Sequence, residues 1–356
     1  MKAYLKLDTG DSFEGEMIGA SLPASGEVVF TTSMTGYQEM STDPSYAGQI
    51  LVFCYPLIGN YGVNREDNES LDTAVAGVIV GETWEDGGET GSRSFSEQLK
   101  EAGVPGLNGI DTRALVKTIR KYPTVKGCIT SDPEAPGWKE ETKELLVEQV
   151  SVKTPAHYSN DGPHVILVDY GYKKSILHAL LKRGCAVTAV PYTFSYDQIQ
   201  ALSPDGILFS NGPGDPADLA GEFMKIRRLA KMWPAFGICL GHQLLALAFG
   251  GGTKKQQNGH RGSNHPVKEM LTGKVHITSQ NHGYVVTEDN LAKNGMVVTF
   301  RNVNDGTVEG LSHSGLPISS VQFHPEAHPG PSDTDYLFDE FVDQMTQSGG
   351  TRYAKA

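Results

Sequence analysis

From His164 to Gly250 the chain alternates short apolar runs with amphipathic stretches: HVILVDYG, KKSILHALLKRG, AVTAVPY, DGILFSNGPGD, EFMKIRRLAKM and AFGICLGHQLLALAFG. Near-continuous apolar runs suit strands buried on both faces, and the intervening helices are what bury them. The pattern predicts βαβ units, hence an α/β fold built on an open, mostly parallel sheet with flanking helices. In such sheets ligands collect beyond the carboxyl ends of the strands. After Gly250 the chain returns to strands, in VHITSQNHGYVV, GMVVTFRNV and PISSVQFHPE, which are expected to extend or flank that sheet. A helix over DTDYLFDEFVDQM follows, and the tail SGGTRYAKA is expected to be loose.

The residues before about Ile129 have a different texture. Short β-type runs (EVVFTTS, QILVFCYP, AVAGVIVGE) are separated by turn signals such as TGD, IGNYG and EDGGETG, so this part reads as strand-dominated. One amphipathic stretch, DTRALVKTIRK, starts at Asp111 as an N-cap and sets Leu115, Val116 and Ile119 on one face. At 356 residues the chain exceeds the usual size of one hydrophobic core. Two domains are therefore expected, a strand-rich one over 1–150 and an α/β one over 151–356. Their connection falls within 131–162, where Pro133, Pro136 and Pro155 surround the charged helical segment KEETKELLVEQV.

Composition removes several function classes. A net charge of −12 opposes binding to nucleic acid or anionic lipid. No apolar run approaches the roughly 20 residues needed to cross a bilayer. The start, MKAYLKLDTGDSFEGE, lacks the apolar stretch of an export signal, so a cytoplasmic protein is expected. Cys54, Cys128, Cys185 and Cys239 lie far apart, which argues against a disulfide framework and a structural zinc site, and leaves reactivity as a reason for at least one of them.

The strongest local signal is FGICLGHQ, where an apolar strand meets a helix across Gly237-Ile238-Cys239-Leu240-Gly241. Small residues two positions either side permit the sharp turn of a nucleophile elbow, which pushes the central side chain into the open. The helix start presents free N–H groups that favour a thiolate and offer the Leu240 amide to a developing oxyanion. Strand cysteines are more often small buried hydrophobes; the flanking glycines favour the nucleophile here. A thiol with a pKa of about 8.5 also needs a base. His324 follows the apolar strand SSVQF, and alternation along an extended chain lets Glu326 sit beside it and orient its ring. Alone, HPE reads equally well as a strand-ending turn; paired with the elbow it reads as catalytic. FSNGPGDP supplies Gly212 and Gly214, whose bare backbones allow close approach of a ligand, with the Gly212 amide as second oxyanion donor. His260, His265 and His282 fit no metal-ligand spacing, so they are expected to shape the pocket or its loops, with no metal.

Taken together and in this order, FSNGPGDP, FGICLGHQ, SQNHGY and VQFHPEAHPGP resemble the class I glutamine amidotransferases. The resemblance implies a Cys239–His324–Glu326 triad, oxyanion donors at Leu240 and Gly212, and glutamine contacts from Gly214, Gln243, Asn281, Gly283 and Tyr284. Position 284 is Tyr where the family commonly has Phe. The first domain, through EVVFTTSMTGYQEMSTDPSYAGQI, YPLIGNYGVNRED and IDTR, is similar to the small-subunit family of carbamoyl-phosphate synthetases. That resemblance implies that Ser45 reaches across to bound glutamine and that the first domain docks a large subunit. It also implies that ATP, Mg²⁺ and bicarbonate are used by that partner, with no cofactor in this chain, which has no Walker loop. TWEDGGETGSRSF, spanning 83–95, matches nothing in that pattern. Two alternatives stand beside this reading: a glutaminase serving another biosynthetic synthase, and a catalytically silent scaffold.

Overall fold

The computed structural model describes residues 1–70, 73–85, 93–135, 138 and 145–348. The chain divides into two compact units, Met1–Leu146 and Val147–Ala356.

In the first unit the strands are β1 (Lys2–Leu7), β2 (Ser12–Gly19), β3 (Ala24–Thr31), β4 (Gln49–Phe53), β5 (Leu57–Ile58), β6 (Gly77–Ile79), β7 (Glu82–Thr83), β8 (Pro105–Asn108) and β9 (Lys126–Thr130). Seven of them close into a barrel in the order β1-β2-β8-β6-β4-β3-β9, which leaves no open edge, while β5 and β7 pair separately. Alternation sorts β4: Ile50 and Val52 pack with Leu5, Val28, Ile79, Leu107 and Ile129, and Leu51 and Phe53 with Val29, Val78, Tyr37 and Phe95. Helix Thr112–Ile119 covers the first cluster through Leu115 and Ile119, and the Asp111 carboxylate caps it by accepting from the Ala114 amide at 2.9 Å. Helix Phe95–Glu101 covers the second and opens with a capping box between Ser94 and Glu97. The stretch TWEDGGETGSRSF lies partly outside the described residues.

The second unit contains one ten-stranded sheet built from β10 (Ala156–Tyr158), β11 (His164–Asp169), β12 (Ala186–Pro191), β13 (Gly206–Phe209), β14 (Ala235–Ile238), β15 (Gly252–Glu269), β16 (Val275–Thr287), β17 (Met296–Asn302), β18 (Val308–His313) and β19 (Ile318–Val321). Its order is β10-β12-β11-β13-β14-β19-β18-β16-β15-β17. The neighbours β12-β11-β13-β14-β19 run parallel, and the strands on either side attach antiparallel. Four of these five parallel strands come from the predicted βαβ region; β19, from PISSVQFHPE, extends the parallel set, and β15 to β18 flank it. Val165, Leu167, Leu208, Phe236 and Val321 are packed by Ile176 and Leu180 of helix Lys174–Lys182 and by Phe338 and Phe341 of helix Tyr336–Ser348. Of the charged segment KEETKELLVEQV, Leu146–Val150 is helical, and residues 139–144 lie outside the described part, as does the tail beyond Ser348. Among the described residues no helix is long and apolar enough to cross a membrane.

Candidate active site

Four neighbouring parallel strands deliver their next residues to one place. Lys173 follows β11, Asn211 to Gly214 follow β13, Cys239 follows β14, and Gln322 with His324 follows β19. This is the carboxyl edge where open α/β sheets gather ligand-binding groups.

Cys239 has φ 54° and ψ −102°, a conformation that costs on the order of 1–3 kcal/mol for a residue with a side chain and persists only where packing enforces it. The enforcing contacts are specific. A Cβ on Gly237 would lie 2.7 Å from the Gly241 carbonyl oxygen, and one on Gly241 would lie 2.1 Å from the Phe209 carbonyl oxygen. Strand and helix Leu240–Ala248 thus meet closer than any side chain allows, and the Gly241 amide donates to Ser210 O at 3.0 Å. This is the bend expected of G-x-C-x-G. The Cys239 thiol donates to the Asn281 carbonyl at 3.7 Å, and the residue is only 3% exposed, so the bend does not push this side chain into the open as the motif predicts; it packs beside core residues of the sheet.

His324 Nδ1 lies 2.6 Å from Glu326 Oε1, and both residues are buried. His324 is held from the other side by its own amide, which donates to Ser279 O at 2.9 Å. Burial alone would lower the His324 pKa; the Glu326 carboxylate and the nearby Cys239 sulfur outweigh it and raise the pKa to about 10. For Glu326, burial pushes upward, but the Lys173 ammonium and the His324 ring prevail and hold it at about 2. With Glu326 bonded to Nδ1, the other ring nitrogen, Nε2, has no hydrogen-bond partner among the described residues and is left for proton transfer.

Lys173 was absent from the sequence reading. Its Nζ sits 3.1 Å from Glu326 Oε1 and donates to Ala327 O at 2.5 Å, and its side chain is 3% exposed. The signal was present: two lysines, Lys173 and Lys174, stand at the start of a helix, where the macrodipole disfavours cations. The buried Asp169 carboxylate shapes the turn that brings Lys173 in, accepting from the amides of Gly171 at 2.7 Å and Tyr172 at 2.8 Å. Asn211 then ties this turn to the β13 loop by accepting the Lys173 amide at 3.1 Å.

The remaining expected residues fall as follows. Gly212 packs so closely that a Cβ would lie 2.3 Å from Tyr170 O and 2.9 Å from Leu240 Cδ2, so the first glycine of the Gly-Pro-Gly turn abuts the elbow. Gly214 has φ +94°, in the left-handed region that favours glycine. Gln243, one turn into the elbow helix, donates from Nε2 to the Tyr284 carbonyl at 2.9 Å and to Gln322 Oε1 at 3.0 Å. Asn281, Gly283 and Tyr284 lie on β16, and the half-buried Tyr284 ring has the Lys255 ammonium 5.9 Å from its centroid. Ser45 belongs to the first unit, in the turn Pro44–Tyr46, where its amide donates to the capping Asp43 carboxylate at 2.9 Å.

Three histidines outside the triad, His260, His265 and His282, form a compact group that spacing did not reveal. His260, His282 and Glu309 bring potential ligand atoms within 4.8 Å of one another, all buried. Their nitrogens already face protein oxygens: His260 Nε2 lies 2.9 Å from Asp305 and Nδ1 3.3 Å from Glu309. His282 Nε2 lies 3.0 Å from Gln280 Oε1, and its Nδ1 2.9 Å from Tyr284 O. The His265 ring lies against His260, tilted by 35° with centroids 5.2 Å apart. This network ties the β16 residues Gln280, His282 and Tyr284 to one another and to Glu309.

Comparison with known proteins agrees with this architecture. Residues 166–344 match the model for glutamine amidotransferase class-I, and residues 5–129 match that for the carbamoyl-phosphate synthase small chain, CPSase domain. The chain is 51% identical to the carbamoyl phosphate synthase arginine-specific small chain of Halalkalibacterium halodurans, covering 98% of each. It is 49% identical to the pyrimidine-specific small chain of the same organism, covering 97% of each, so identity does not separate those two relatives. It is 52% identical to the carbamoyl phosphate synthase small chain of Listeria monocytogenes, again covering 97% of each.

Proposed function

The chain belongs to the carbamoyl-phosphate synthase small-chain family and carries a glutamine amidotransferase domain, and from that premise we propose that Cys239, His324 and Glu326 hydrolyse glutamine through a thioester. The observation that carries the proposal is the elbow itself: a strained Cys239 at φ 54°, beside an imidazole held by a carboxylate at 2.6 Å.

The Cys239 thiolate attacks the side-chain carbonyl carbon of glutamine, forming the C–S bond and moving the carbonyl electron pair to oxygen. The amides of Leu240 and Gly212 hold that oxyanion. Collapse breaks the C–N bond, and His324 gives the departing nitrogen its proton, so ammonia leaves. Water, deprotonated by the now neutral His324, attacks the γ-glutamyl thioester; glutamate departs and the imidazolium returns a pair with the thiolate. Glu326 stabilises the imidazolium throughout, and Lys173 keeps Glu326 ionised. Gly214, Gln243, Asn281, Gly283 and Tyr284, with Ser45 from the first unit, bind the substrate in this proposal.

Ammonia is a nucleophile only when unprotonated, and bulk water near neutrality protonates most of it. Sheltered delivery to a second active site follows. The proposed recipient is a large subunit that uses ATP, Mg²⁺ and bicarbonate to make carbamoyl phosphate, docked by the first unit; the match of residues 5–129 favours this over other synthases. Acid quenching during turnover tests the chemistry: a γ-glutamyl adduct on the peptide containing Cys239 is expected, and an adduct on another residue overturns it.

A further inference from the structure

Gln322 is wholly buried at the end of β19, two residues before His324, and its backbone amide donates to Glu309 O at 2.9 Å. Its side chain links two parts of the site: Nε2 donates to Cys239 Sγ at 3.7 Å, and Oε1 accepts from Gln243 Nε2 at 3.0 Å.

Which end of this amide faces the sulfur is fixed from a distance. The Gln243 Nε2 group also contacts the Tyr284 carbonyl, at 2.9 Å, and a carbonyl only accepts. That contact fixes the donor end of Gln243, which requires an acceptor from Gln322, which in turn leaves the Gln322 NH₂ toward Cys239. Flipping either amide sets oxygen against oxygen or NH₂ against NH₂ in a buried place, where unpaired polar groups are costly. The sulfur therefore has both a donor, Gln322, and an acceptor, the Asn281 carbonyl. The thiol uses the acceptor; the thiolate needs the donor.

We propose that Gln322 is a positioning residue for the glutaminase reaction, holding the Cys239 sulfur as a hydrogen-bond acceptor in an orientation set by the Tyr284 carbonyl through Gln243. This rests on the reading of Cys239 as nucleophile and adds a residue to it. Because the same amide restrains Gln243, losing it disturbs substrate binding as well as sulfur reactivity.

The test is Gln322→Met, which keeps the length of the side chain and removes both polar ends. In a variant that retains the melting transition, kcat for glutamine hydrolysis falls about 10- to 100-fold, as for loss of one hydrogen bond to a charged group, and KM rises. Iodoacetamide alkylation of Cys239 at fixed pH slows by about the same factor. A packing role alone leaves that rate unchanged, so unaltered alkylation and kcat overturn the proposal. If the variant does not fold, the unsubstituted chain decides. Alkylating Cys239 moves the Gln322 side-chain ¹H–¹⁵N signal if Nε2 donates to the sulfur, and an unmoved signal overturns it. Failure of the nucleophile reading looks different: complete alkylation of Cys239 then leaves hydrolysis intact.

Discussion

The Lys173 ammonium lies 3.1 Å from the Glu326 carboxylate, and neither side chain has appreciable contact with solvent. The same carboxylate oxygen bonds His324 Nδ1 at 2.6 Å. With a thiolate at Cys239 and an imidazolium at His324, the buried row carries two positive and two negative charges. Each is paired, which is the condition for charges to persist in a low-dielectric interior.

Lys173→Met leaves the buried row with one more negative than positive charge, Glu326 keeping only His324 as its partner. We expect a loss of about 3–5 kcal/mol in unfolding free energy, measured by chemical denaturation, with a large fall in glutamine hydrolysis. Adding Glu326→Gln to that variant restores part of the stability, since the remaining thiolate and imidazolium of the row then balance each other. Simple additivity of the two losses would contradict the pairing.

The same row makes stability depend on pH with a definite sign. The His324 pKa is raised from 6.5 to about 10, so its contribution is complete below 6.5 and is lost as pH rises toward 10. The Glu326 pKa is lowered from 4.5 to about 2, so its contribution is complete above 4.5 and is lost as pH falls toward 2. Together they stabilise most between those inner limits. Denaturation curves of the parent and of Glu326→Gln across this range should differ most there and converge toward both extremes; a constant difference would contradict the assignment.

Gly241→Ala drives a methyl to 2.1 Å from Phe209 O, backbone that cannot move without opening the strand. We expect a cost of about 2–4 kcal/mol and loss of hydrolysis. Gly221→Ala, where a Cβ meets nothing within 4 Å, should stay within about 0.5 kcal/mol and keep its activity. Melting temperatures and a glutamate-release assay separate the two.

Local chemistry carried much of this site into the sequence. Glycines flanking Cys239 announced the elbow, and Asp111 with Leu115 and Ile119 announced a capped amphipathic helix, because each depends on neighbours a few positions away. Barrel closure did not show, since Leu5 pairs with Ile129 across most of the first unit and no short pattern encodes that. Gln322 was hidden for the same reason, and Lys173 showed only as a cation oddly placed at a helix start. Their meaning lies in Glu326 and Cys239, which only the strand order β11-β13-β14-β19 brings to them. The group of His260, His282 and Glu309 depends likewise on the pairing of β15 with β16, whose bulges no simple alternation predicts.

Cys239→Ala, assayed in the chain combined with its large partner, tests the central claim most directly. Glutamine hydrolysis should fall by about 1000-fold or more, as expected for loss of a nucleophile, while carbamoyl phosphate formation from added ammonium salt continues. Hydrolysis that survives the substitution would contradict the account.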